Sequence, residues 1–140
     1  MTFLPFVFNS LVFFVVALFH YYWVFGGKKG ITVVIPEIET KSKKVIFPGK
    51  ILTFVVASIF LSISLLYVFI SFKIEPVYSF KTHILTSLAV VLLIRAIGEF
   101  KYIGFFKKVK NTDFAKYDTK YYTPLCLLLS IITAICIFIN

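Results

Sequence analysis

Two stretches of this chain, residues 3–25 and 51–72, carry no charged side chain. Few features restrict folding more. About 20 consecutive apolar residues make a helix as long as the hydrocarbon core of a bilayer is thick. Lipid offers backbone N–H and C=O groups no outside partner, so such a run must bond within itself as a helix. Two further apolar runs follow, residues 82–106 and 123–139, and lysine-rich gaps separate the four. A soluble domain of 140 residues would interrupt its apolar positions with charge every few residues. Here 60% of the chain is hydrophobic and mean hydropathy is +0.97, so that class is excluded. The sequence predicts an all-α fold, an integral membrane four-helix bundle in which residues 1–140 form a single transmembrane domain. The first run has neither the basic flank nor the small-residue cleavage site of a secretory signal, so it is expected to stay as a span.

The net charge of +9 has an explanation in the same pattern. Clustered lysine is the usual footprint of a phosphate binder. In this chain the clusters lie in short loops beside apolar spans, where they record orientation and meet anionic headgroups, so membrane lipids rather than nucleic acid are the expected partners. The first loop sets Lys28, Lys29, Lys41, Lys43, Lys44 and Lys50 against Glu37 and Glu39. The third sets Lys101, Lys107, Lys108, Lys110, Lys116 and Lys120 against Asp113 and Asp118. Each nets +4, and the second loop, residues 73–83, nets +1. Both basic loops are expected in the cytoplasm and both termini outside.

The third run holds the most demanding residues. Arg95 and Glu99 stand four positions apart within it. On one continuous helix they lie about 40° apart on the wheel, with Tyr102 about 20° to the other side of Arg95. A charge at that depth costs about 2.5–3.5 kcal/mol on insertion scales and must face protein or water. In the first run Asn9 and His20 share a face with Phe13 and Ala17, while Tyr21, Tyr22 and Trp23 form an interfacial aromatic belt. In the second, Ser58 and Ser62 form a small-x-x-x-small pair, with Ser64, Tyr67 and Ser71 on the other side, which predicts two helix neighbours. The short link at residues 73–81 predicts that the second and third spans are antiparallel neighbours. Thr112 is a candidate cap for a short loop helix. Thr123 and Pro124 read as the N-cap and first residue of the fourth span. Residues 31–35 and 45–47 suit either a small surface hairpin or an amphipathic interfacial segment. Gly98 and Gly104 read as close helix contacts, Gly104 at the end of the membrane part.

With this topology the polar groups gather at one end. His20 and Trp23 from the first span, Arg95, Glu99 and Tyr102 from the third, and Tyr122 from the fourth all fall at the cytoplasmic side. Asp113 and Asp118 can fold back to the same mouth and meet Arg95 or the lysines. Arg95, Glu99, His20, Trp23, Tyr102, Asp118 and Tyr122 are therefore the candidate binding residues, and Glu99 and His20 the catalytic candidates. The plainer alternative makes Arg95 and Glu99 an intrahelical ion pair that neutralises charge and ties helices together. Cys126 and Cys136 lack C-x-x-C spacing, so no redox dithiol or metal site is expected. His20 and His83 are predicted at opposite membrane faces, which leaves no haem pair, and no cofactor is expected.

The segment RAIGEFKYIGFFKKVKNTDFAKYDTKYYTPLCLLL, together with FHYYWVFGGKKG and the proline after ITVVI, resembles the small bacterial membrane proteins grouped as the domain-of-unknown-function 3995 family. The resemblance spans nearly the whole chain. Its most specific positions are Arg95, Gly98, Glu99, Phe100, Tyr102, Gly104 and Phe106, then Thr112, Phe114, Ala115, Asp118, Tyr122, Pro124 and Cys126. It implies four transmembrane helices in a bacterial cytoplasmic membrane and supplies no activity. Two function classes follow. One is a protein that binds a lipid-like ligand, or a partner membrane subunit or second copy, through the polar cluster. The other is a small membrane enzyme acting on a lipid-like substrate, with Glu99 and His20 as acid and base and Arg95 holding an anionic group.

Overall fold

The computed structural model describes residues 3–35 and 49–139, and every regular element among them is helical. These are α1 (Leu4–Val24), a single turn α2 (Ile31–Val34), α3 (Lys50–Ser71), α4 (Lys81–Ile97), α5 (Asp113–Tyr117), a π turn (Asp118–Tyr122) and α6 (Thr123–Phe138). The last three are continuous, one helix over Asp113–Phe138. Three helices are long and apolar enough to cross a membrane: Leu4–Val24, Lys50–Ser71 and Asp113–Phe138. At 17 residues, α4 sits at the lower limit for a span.

The molecule is apolar outside and partly polar inside. Leu11, Phe14, Leu18, Phe19, Ile59, Leu65, Val91, Ile94, Ile131 and Ile135 face outward, whereas Asn9, Ser10, Ala17, Ala57, Ser64, Ser130 and Thr133 are buried. Water would punish that arrangement, and lipid favours it, because small residues let helices approach and polar side chains bond between them. Ser10 and Ser64 each donate their hydroxyl to the other's backbone carbonyl, at 3.0 and 2.8 Å, which clasps α1 to α3. Tyr21 donates to Ser58 Oγ at 3.2 Å, one end further along the same contact. Asn9 Nδ2 (3.0 Å) and Tyr67 OH (2.6 Å) both donate to Thr133 Oγ1, whose own proton goes to Leu129 O, joining α1, α3 and α6 at one point. Ser130 donates to Ala89 O at 2.8 Å, and the Lys81 ammonium donates to Ile139 O at 2.7 Å, which fixes α4 antiparallel to α6.

Several expectations are revised. The second and third spans do not pack along their length. Ser58 and Ser64 of α3 both bond to α1 while Ser62 is exposed, α4 lies on α6, and α3 and α4 flank an open groove lined by Leu66, Phe80 and Ile84. The third helix ends at Ile97, not near residue 106, because Gly98 takes φ +87° and ψ −179°, a conformation only glycine adopts readily. Thr123 does not cap a new helix. The helix begins ten residues earlier, where Thr112 Oγ1 accepts from Ala115 N–H at 3.1 Å as expected of a cap. Pro124 has no N–H to give to the preceding turn, and the helix continues by widening there: Thr123 N–H reaches back five residues to Asp118 O. Residues 31–34 form a helical turn rather than a strand, and residues 45–47 lie outside the described residues.

Candidate functional site

The antiparallel order brings the C-terminal ends of α1 and α4 to the same end as the start of α3 and the π turn. Two distinct structures occupy that end. The first is an ionic hub around Asp118, whose side chain is fully buried. Its Oδ1 accepts from Arg95 Nη2 at 2.8 Å, and its Oδ2 accepts from Lys107 Nζ and from Gly104 N–H, each at 2.9 Å. Lys107 also donates to Gly104 O (3.1 Å) and Thr119 Oγ1 (2.6 Å), and its side chain is 1% exposed. Two cations and a backbone amide thus converge on one carboxylate, the composition that keeps buried charge tolerable.

The loop after α4 is shaped to deliver those donors. It doubles back over the helix end: Phe105 N–H bonds to Ala96 O at 3.0 Å, and Lys108 and Val109 N–H bond to Phe100 and Lys101 O at 3.2 and 3.0 Å. At the crossing Gly104 (φ +90°) lies directly on Gly98, backbone against backbone, and a Cβ on either would collide with the other strand of the loop. This packing aims Gly104 N–H and the Lys107 stem at Asp118.

Because the helix stops at Gly98, Glu99 leaves the face it was expected to share with Arg95. It is exposed, and Asp118 takes its place as the carboxylate on Arg95. Asp113 pairs instead with Lys116 on the surface at 3.4 Å. Tyr102 is half-buried beneath the Lys101 ammonium, and Tyr122 is half-buried against Phe114. Neither bonds to the hub. Sequence reasoning missed Lys107, Thr119 and Gly104. A lysine in a basic loop reads as an orientation signal, and only the path of the loop turns one of six into a buried counter-ion.

The second structure is a cavity of about 520 Å³ between α1, α2 and α3. His20 and Trp23 line it. His20 is half-buried between the Trp23 and Phe60 rings, each 5.1 Å away, and its Nδ1–H donates to Val16 O at 2.8 Å. In the neutral ring that leaves Nε2 as an acceptor. Trp23 Nε1 donates to Lys29 O at 3.0 Å and holds the turn that carries Lys28 to the rim. Leu52, Val56, Ile31, Val34 and Ile35 make the walls apolar, and Lys28, Lys50 and Thr53 supply the polar edge. Neither Glu99 nor Arg95 lines it, so the proposed acid and base are not brought together. His83 is exposed in the groove at the opposite end of the helices, away from His20. Among the described residues no group of His, Cys, Asp and Glu could hold a metal ion.

Among the described residues, then, a buried ionic knot closes one end of a helical fold, beside an apolar cavity and three helices long and apolar enough to cross a bilayer. The chain belongs to a protein family of unknown function (DUF3995), whose model matches residues 13–133. No curated protein and no solved structure matches it.

Proposed function

We propose that this is a four-helix protein of the bacterial cytoplasmic membrane that binds a lipid-like ligand in the cavity beside His20 and Trp23. The observation that carries the reading is the cavity itself: a volume within the range of small-molecule sites, apolar walls and a few polar groups at one edge. α4 is the fourth span, short, with Lys81 at its start bonded to Ile139 O and Arg95 near its end bonded to Asp118, which ties both ends to the neighbouring helix. The lysine loops support a cytoplasmic location for the cavity end and an outside location for both termini. The Arg95, Asp118 and Lys107 knot holds the end of α4 and its loop against the π turn and contributes no residue to the cavity lining. The acid-base alternative has less support, since Glu99 is exposed and does not line the cavity that His20 lines.

The test is native mass spectrometry with lipid analysis of the detergent-purified protein. Thr53→Trp places an indole in the cavity and should cut retained lipid about tenfold, as expected for excluding about two methylenes of a chain. Arg95→Ala should lower folded yield while leaving lipid per folded molecule unchanged. Lipid content that follows Arg95 and ignores Thr53 would rule the cavity out as the binding site.

A further inference from the structure

Resting on that reading, we infer that the ligand is an anionic phospholipid, with an acyl chain in the cavity and its phosphate held between Lys28 and Lys50. The two lysines come from different elements, Lys28 from the turn after α1 and Lys50 from the first residue of α3, yet both border the same apolar space. Both are exposed, so their ammonium groups are available at the mouth rather than consumed inside the protein. Among the described residues no acid lines the cavity, and Lys28 and Lys50 place two positive charges on its rim. A lysine opening a helix with no acid in the first turn is also electrostatically unfavourable, because it adds a cation to the positive end of the helix dipole. A phosphate at the rim relieves both. The walls specify the rest of the molecule: Leu52, Val56 and Val34 offer a chain van der Waals contact and nothing to bond to, which a free phosphate could not use.

The identity of the headgroup is tested on the full-length protein after delipidation, mixed with equal amounts of phosphatidylglycerol and phosphatidylcholine of the same chains and read by native mass spectrometry. Each lysine near a lipid phosphate is worth about fivefold, so the wild type should prefer phosphatidylglycerol by about 30-fold. The double variant Lys28→Gln, Lys50→Gln should bring the ratio to within about threefold of unity. Lys108→Gln with Lys110→Gln, exposed lysines at the same end but away from the cavity, should leave the preference in place. Equal binding of the two lipids by the wild type, or loss of preference in the control pair as large as in the cavity pair, would overturn the headgroup assignment and leave a lipid site without charge selection. Failure of the wild type to bind either of the two lipids, or binding that Thr53→Trp does not reduce, would overturn the cavity reading itself.

Discussion

Asp118→Ala is expected to cost about 3–5 kcal/mol, a large fraction of the stability of an ordinary domain, and to collapse the yield of folded protein. The size follows from what stays behind. Lys107, with its side chain 1% exposed, would keep only the neutral oxygens of Gly104 and Thr119, and the Gly104 N–H would lose its acceptor. Arg95 contributes less, since about a third of its side chain is exposed. Removing the buried cation as well should therefore help: Lys107→Met on the Asp118→Ala background should recover part of the loss, a sign that only an unpaired charge explains. Chemical unfolding in detergent measures both. An Asp118→Ala protein within about 0.5 kcal/mol of wild type would show that the knot carries no stability.

Gly98→Ala is the second large effect, with an expected loss of about 3 kcal/mol or more. Two costs add. The backbone at φ +87° and ψ −179° lies where a side chain is strained by about 1–3 kcal/mol whatever surrounds it. The new methyl would also run into the backbone of Ile103 and Gly104, so the loop would have to lift. Lifting it withdraws Gly104 N–H and Lys107 from Asp118, and the damage spreads from a turn to the knot. Gly30→Ala, at φ +75° but with nothing within 4 Å of an added methyl, is the control that carries backbone strain without the collision and should cost only about 1 kcal/mol. Thermal unfolding of the two variants side by side, followed by circular dichroism in detergent, separates the local cost of alanine from the cost of displacing this loop.

These two residues also mark where the sequence could and could not be read. The apolar runs identified α1 and α3 to within a few residues, because a charge-free stretch in lipid has one backbone solution. The inward face of Asn9, Phe13 and Ala17 and the capping role of Thr112 were equally legible from local spacing. Asp118 was recognised as an acid able to fold back to Arg95, and it does. The pairing of Arg95 with Glu99 was not legible correctly, since wheel arithmetic holds only while the helix continues and Gly98 ends it. A glycine within an apolar run reads equally well as a close helix contact or as a stop. The difference lies in Gly104 packing on it, a contact between residues brought together by a loop. Pro124 misled in the same way. Proline normally opens a helix, yet here the π turn at Asp118–Tyr122 absorbs it and turns Asp118 inward. The cavity beside His20 was legible only as a level in the membrane, because its walls come from three elements.

Arg95 of α4 is held by the acid beyond the loop and not by the glutamate four residues on. The most direct measurement is a pair of double-mutant cycles in reversible detergent unfolding, using Arg95→Gln with Asp118→Asn and Arg95→Gln with Glu99→Gln. The Arg95–Asp118 cycle should return a coupling of about 1–2 kcal/mol and the Arg95–Glu99 cycle a value within about 0.5 kcal/mol of zero. A substantial coupling to Glu99 with none to Asp118 would contradict the account.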